Sequence, residues 1–503
     1  MSEESNRPRI VVVGAGWAGL GATYHLARQG YDVTLLEAGS YSGGLVAGWK
    51  TAKGQSVEAG VHGFWYPYFN IFRLVRELGL DPFTPWTQSA QYSPAGLEVE
   101  SPIFQNEPPL PSPLGTFLYP KFRRLPLLDR LSALPLLYSV VDFDNSDEAW
   151  QRYDSVTARE LFKQFGVSQR LYRDAFNPML LVGLFAPGEQ CSAAAALGML
   201  YYFILAHQPN FDVMWCRGTV GDRIFRPWCD RIKQVGGKIL TNRRVSDVVT
   251  NETGEVTGVV CNSEVFNADA VIFSVGIAGM KKIVAGSAAL QRRPEFRNIF
   301  NLGAVDVLAT RLWFDRPVRV PRASNACFGF DNTTGWTFFD LNQLHDEHRG
   351  APGTVIEADF YHANQFLPLD DADIVNLVRG YLATCVPGFQ AARVTDSSVI
   401  RLRQAVTHFF PGCYQYLLRP QTSFNNVYAS GDWIANRHGS WSQEKAYVTG
   451  LEAANSIIDR FGRGYKAAIL PVEADEPHIE WMRTLNQTWR EWGQSALPDF
   501  WLP

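Results

Sequence analysis

Residues 10 to 37 read Ile10-Val11-Val12-Val13-Gly14-Ala15-Gly16-Trp17-Ala18-Gly19-Leu20, then on through Tyr31-Asp32-Val33-Thr34-Leu35-Leu36-Glu37, and they decide the fold. An apolar strand runs into a glycine turn, the turn opens a helix, and a second apolar strand ends on an acid. Gly14 permits the tight turn, Gly16 lets backbone approach a pyrophosphate, Gly19 lets the helix lie close on the sheet, and Glu37 falls where a ribose hydroxyl needs an acceptor. The predicted helix, Leu20 to Gln29, turns Ala22, Leu26 and Ala27 inward, and Gly30 follows it as a C′ glycine. Its N-terminal amides and positive dipole end would face phosphates. A second glycine pair, Gly43-Gly44, follows the acid. It would let another backbone segment pass over the dinucleotide, which a buried FAD needs more than a transient NAD, so FAD is the expected cofactor.

The 503 residues are 46% hydrophobic, enough for two to three domains with a large core. A formal net charge of −4, without long charge runs, gives no basic surface for nucleic acid. The polar first nine residues lead straight into the first strand and leave no room for a secretory or transit peptide, so a cytoplasmic start is expected. The cysteines at 191, 216, 229, 261, 327, 385 and 413 form no Cys-x-x-Cys pair and read as reduced thiols. No apolar run approaches the roughly 18 to 20 residues that span a bilayer, so any membrane contact would be one-sided.

Outward from the glycine turn, the nucleotide-binding grammar returns twice. Cys216-Arg217-Gly218 to Arg223 precedes an expected helix to Gln234. The glycines Gly236-Gly237 follow, and Val245 to Val249, Val256 to Val260 and Asp269 to Gly276 read as strands. Asn426 to Asp432 is a strand and turn, and Gly450 to Phe461 a helix. The expected fold is therefore α/β. A discontinuous Rossmann-type FAD-binding domain (1–100, 211–289 and 406–465) carries an inserted α+β substrate and membrane-facing domain (101–210 and 290–405), and a tail (466–503), rich in tryptophan, packs back on the body.

With these pieces in place, the chain resembles the FAD-dependent carotenoid desaturases of the phytoene and ζ-carotene type, within the amine-oxidase flavoprotein superfamily. The resemblance rests on Gly43-Gly44 through Lys50 and on Glu58-Ala59-Gly60-Val61-His62-Gly63-Phe64. It rests also on Gly218 to Arg223, Gly236-Gly237 and Val245 to Val248, and on Pro411-Gly412, Arg419-Pro420, Ala429-Ser430-Gly431-Asp432 and Ser442 to Gly450. It implies that the segment around His62 contacts the flavin, that the strand backbone at Val248 meets the adenine, and that Gly431 and Asp432 meet the ribityl chain and pyrophosphate. Arg223 resembles an arginine placed near the flavin and a quinone electron acceptor. The chain departs from the family at Leu45, where a basic residue is usual, and at Lys445, where glycine is usual.

Arg223 and His62 are thus the candidate catalytic residues, each with a plainer reading as a capping arginine and a core histidine. Gly14, Gly16, Gly19, Glu37, Gly43, Gly44, Val248, Gly431 and Asp432 are the candidate cofactor-binding residues. His345-Asp346-Glu347-His348 has two histidines three apart but no third ligand in register. It reads as a solvated loop, and no metal is expected. Residues 109 to 138 mix apolar and aromatic side chains with Lys121, Arg123 and Arg124. They read as a membrane-dipping segment or as a lid over the cavity. The resemblance implies desaturation of a lipophilic carotenoid, by hydride transfer to flavin at a membrane surface. A carotenoid ring desaturase/methyltransferase, a flavin-dependent isomerase, an amine oxidase and a non-catalytic carotenoid or lipid carrier remain alternatives.

Overall fold

The computed structural model describes residues 7–205, 207–331, 333–438 and 441–496. The strand Arg9–Val13 lies at the centre of a five-stranded parallel sheet. Asp32–Leu36 and then Lys238–Leu240 extend it on one side, and Ala270–Phe273 and Val427–Ala429 on the other. Its strands therefore come from three separated stretches of chain. The inner strands Arg9–Val13 and Ala270–Phe273 are buried on both faces from Ile10 and Ala270 onward, as the apolar runs of a covered parallel sheet require, while Lys238–Leu240 at the edge is more exposed. The helix Trp17–Arg28 starts three residues before the expected Leu20, because Gly16 already serves as its N-cap. Gly30 follows it at φ +83°, the left-handed end expected of a C′ glycine. The helix near the C-terminus is Gln443–Phe461, seven residues longer at its start than expected, because the Ser442 side chain accepts from the Lys445 amide and caps it there.

A second sheet of eight strands stands apart from the first. From one edge inward it is the antiparallel set Val394–His408, Gly303–Phe314, Val355–Tyr361, Gly335–Asp340 and Ser324–Cys327. Ser89–Ser93 then joins parallel to Ser324–Cys327, and Gly96–Ser101 and Lys121–Phe122 complete the edge. This corrects the expectation that the nucleotide-binding piece runs to residue 100. The chain from Ser89 belongs to the other sheet, held by partners distant in sequence that no local pattern announces. A short meander, Val245–Thr250, Val256–Cys261 and Glu264–Asn267, packs beside the first sheet.

Residues 101–210 are mainly short helices. Among the described residues no helix is long and apolar enough to cross a membrane. The tail does pack back: Pro477–Ala496 lies on the helix Leu137–Asp142, with Arg483 donating to the Val141 carbonyl and Arg490 paired with Asp142. Trp501 lies outside the described residues.

Candidate active site

One cavity of about 710 Å³ begins at the glycine turn and runs between the two sheets. Gly14 adopts φ +105°, and its amide donates to the Leu36 carbonyl at 2.8 Å. A Cβ on Gly19 would lie 1.8 Å from the Gly14 carbonyl oxygen, so the helix sits where only glycine fits. Gly16 is different: a Cβ there would meet nothing within 4 Å, because the position opens on the cavity. Gly43 turns at φ +136° and donates to the Ala15 carbonyl at 2.8 Å, which brings Gly44 against Gly16. The resulting cradle is closed at Gly14 and Gly19 and open at Gly16, the N-cap of Trp17–Arg28, where no side chain bonds to the free amides of the first turn. This is the shape and polarity an FAD pyrophosphate needs.

Glu37 faces the same cavity and ties the turn together, accepting from the Ala15 amide at 2.8 Å and the Gly39 amide at 2.7 Å. A carboxylate keeps lone pairs beyond these two bonds, so a ribose hydroxyl can still be accepted. Gly431, at φ +141°, donates to Thr449 Oγ1, and with Asp432 lines the cavity. Burial pushes the Asp432 carboxyl up, opposed by the nearby Lys445 ammonium. Lys445, the departure from the family glycine, is itself buried and pushed down to about 8, with Asp432 and Glu452 opposing the shift. Ser274, Val275 and Gly276 also line the cradle, at the carboxyl end of a central strand. They were not singled out from sequence, although that strand end is where open parallel sheets bind ligands.

His62 lies in the cavity wall between Gly60 and Gly63. Its Nδ1 is 2.7 Å from the Gly60 carbonyl oxygen, and burial pushes the imidazole down to about 4. A neutral ring with Nδ1–H on a carbonyl leaves Nε2 as a weakly basic acceptor. Beyond His62 the lining becomes apolar and aromatic, including Trp65, Phe117, Phe176, Met179 and Phe203. Phe185 stacks on Tyr361 at 4.5 Å between ring centroids, with Trp441 edge-on at 4.8 Å from Phe185. The far end reaches Thr116, Phe122, Arg130, Leu136 and Leu137, within the segment read as membrane-dipping or lid.

That segment does two things at once. Its inner side chains wall the cavity, while Leu118, Leu127 and Leu128 stand outward, Leu128 at 81% exposure. Its charge is less available than expected: Arg123 pairs with Glu100 and Arg124 with Glu98, leaving Lys121 without an ion pair among the described residues.

The other expected residues lie away from the cavity. Arg223, in the turn Gly221–Phe225, donates to the Arg217 carbonyl and to Asp346, each at 3.0 Å, and is not part of the lining. Val248 is buried in the meander, paired with Val259, and is likewise absent from the lining. The loop at His345 is solvated only in part: Glu347, Arg349 and Gly350 are exposed, but His345 is not. His345 is buried 3.7 Å from Glu58 Oε1, beside the Arg311 that pairs with Glu58 and Glu357. The sequence reading failed there because its turn residues hid a buried ionic cluster drawn from several strands.

The family model for flavin containing amine oxidoreductases matches residues 17–458. Among curated proteins, the chain is 24% identical to a probable zeta-carotene desaturase of Synechococcus elongatus, over 90% of this chain and 98% of that one. It is 23% identical to the 15-cis-phytoene desaturase of Arabidopsis thaliana, over 90% and 80%. Among solved structures, cyclohexylamine oxidase from Brevibacterium oxydans superposes with TM-score 0.67 at 16% identity, covering 91% of this chain and all of that one. A putrescine oxidase does so at 0.65 and 15%, covering 90% and 99%.

Proposed function

This chain belongs to the flavin containing amine oxidoreductase family and is an FAD-dependent oxidoreductase, and from that premise we propose that it desaturates a carotenoid of the phytoene or ζ-carotene type at a membrane surface. The observation that carries the reading is the continuity of the cavity. It leads from the glycine cradle, past an aromatic and aliphatic wall, to Phe117, Phe122 and Leu137, in the segment where Leu118, Leu127 and Leu128 face outward and where this reading puts the mouth. A long rigid polyene needs a deep apolar slot with one end at the flavin and the other at its lipid reservoir. Held in this cradle, FAD would supply the redox chemistry as a hydride acceptor, and conjugation along the polyene would spread the charge left behind.

The chain's own residues do the rest. Gly14, Gly16, Gly43, Gly44 and Glu37 would hold the dinucleotide and Gly431 and Asp432 its ribityl side, while Gly19 lets the helix close on the Gly14 turn. His62 forms part of the wall beside the flavin. Phe185, Tyr361 and Trp441 present π-faces to the developing cation.

Membrane contact is one-sided. Leu114, Leu118, Leu127, Leu128, Leu131 and Leu134 are exposed around the mouth, and on the adjoining helix Pro477–Ala496 the side chains of Trp481 and Trp489 face outward, Trp489 at 75% exposure. Tryptophan suits the headgroup boundary. With Arg123 and Arg124 already paired to carboxylates, apolar transfer rather than charge supplies most of the binding. A lipid-soluble quinone is the electron acceptor that this location favours.

The reading is tested by offering the purified protein phytoene, ζ-carotene and cyclic carotenes in vesicles, beside a panel of amines, with a quinone present. Desaturation gives products absorbing at longer wavelength from linear carotenes alone. Turnover of amines alone would replace this reading with an amine oxidase, and bound pigment without product would make the chain a carrier.

A further inference from the structure

The strand Val355–Tyr361 is buried along its whole length, yet its alternation is unusual. Ile356, Ala358 and Phe360 enter an apolar core, while Glu357, Asp359 and Tyr361 face the other way. Two of these three polar groups are fully engaged: Glu357 with the Arg311 guanidinium, and Tyr361 with Thr337 Oγ1 at 2.9 Å. Asp359 is not. Its Oδ2 accepts from the Val61 amide at 3.0 Å, but the buried Oδ1 has no hydrogen-bond partner, and Asp359 lines the cavity beside Gly60, Val61 and His62. A buried, half-satisfied carboxyl in the wall of a reaction space is costly unless it has work there.

Resting on the carotenoid reading above, we propose that Asp359 Oδ1 is the catalytic base that accepts the proton lost when the new double bond forms. Hydride leaves one allylic carbon for the FAD. On the adjacent carbon the C–H bond breaks, its electron pair becomes the second bond of the new C=C, and the proton goes to Asp359 Oδ1. The carboxyl releases that proton to water after the product has left. The other cavity groups are poorer acceptors. His62 is a weak base, and Glu37 and Asp432 sit at the dinucleotide end.

Asp359 is also made more basic than an ordinary carboxyl. Burial does most of this, and the neighbouring Glu357 and Glu58 charges add to it. The Val61 amide and the Arg311 guanidinium oppose the shift, and Tyr361 from the same strand face completes its surroundings. A raised carboxyl at the end of a hydride-transfer step is matched to taking a proton from a carbocation. The working form is the carboxylate, so the rate at which the new double bond appears should rise with pH as Asp359 and the buried Glu357 and Glu58 beside it lose their protons.

The test uses the FAD-loaded protein, anaerobically, with ζ-carotene and phytoene in vesicles. Asp359→Asn keeps an acceptor for the Val61 amide and removes the base. Appearance of the desaturated carotenoid should slow about 100-fold or more, with FAD content and carotenoid quenching of tryptophan fluorescence unchanged. Asp359→Glu should restore part of the rate. Independently of turnover, the infrared difference spectrum between low and high pH should show a buried carboxyl band that disappears in Asp359→Asn. If that variant does not fold, the wild-type pH profile of product formation decides: a flat profile overturns the assignment, as does product formation by Asp359→Asn at the wild-type rate. Failure of every carotenoid to bleach the wild type overturns the substrate reading instead, and this assignment with it.

Discussion

The two sheets that flank the cavity bind by opposite means. The five-stranded parallel sheet offers backbone: its contribution is the turns at Gly14, Gly16 and Gly43, where the absence of side chains makes room. The eight-stranded sheet offers side chains, with Thr337, Phe339, Asp359 and Tyr361 projecting from adjacent strands into the same space. The difference teaches where each end is vulnerable. Adding atoms damages the first region, and changing chemical type damages the second.

The largest expected effect lies in the parallel sheet and separates folding from binding. Gly19→Val places atoms on the Gly14 carbonyl and should cost about 3 kcal/mol or more, lowering Tm sharply and abolishing FAD retention together. Gly16→Val, whose Cβ points into open cavity, should leave the apoprotein Tm nearly unchanged and still lose FAD. Paired thermal melts and flavin absorbance check both. Full FAD occupancy in Gly16→Val would break the contrast between the two glycines.

A smaller effect sharpens the comparison through charge. Lys445 titrates at about 8 in the fold against 10.5 when unperturbed, so between those values the unfolded chain binds the extra proton. Stability relative to Lys445→Met should therefore rise with pH across that window, by roughly 2 to 3 kcal/mol at its upper end. Denaturant unfolding of both proteins from pH 7 to 10 measures it, and parallel curves would show that Lys445 is not buried as a charge.

Least in magnitude is the membrane contact, which belongs to the side-chain region. Changing Leu118, Leu127 and Leu128 together to serine removes outward apolar surface without touching the cavity wall formed by Phe117 and Phe122. Vesicle partition in moderate salt should fall about tenfold, or ~1.4 kcal/mol, with FAD content unchanged. Flotation equal to the parent would move the lipid contact elsewhere.

The two regions also differ in how far sequence discloses them. Gly14, Gly16, Gly19 and Glu37 were legible because the device they form is local: strand, turn, helix and acid lie within 28 residues. Gly43 followed from the same grammar, and Gly431 from the family resemblance together with its place after a strand. Asp359 was missed because its role depends on strands brought together from distant parts of the chain. The available signal was Glu357 and Asp359 alternating within an otherwise apolar run, which marks a buried polar face. Arg223 shows the converse. Motif position suggested the flavin, but Asp346 lies close enough to take its guanidinium. The pairing of Arg123 and Arg124 with Glu100 and Glu98 was hidden for the same reason, since a basic cluster looks free until the neighbouring strand is in place.

The central claim is that one continuous cavity brings a membrane-borne polyene to the flavin. Anaerobic single-turnover mixing of FAD-loaded protein with ζ-carotene in vesicles tests it most directly, following flavin and carotenoid absorbance together. The account predicts one flavin bleached for each double bond gained, with the carotenoid band moving to longer wavelength at the same rate. A flavin that stays oxidised with every carotenoid offered, yet bleaches on addition of an amine, would contradict it.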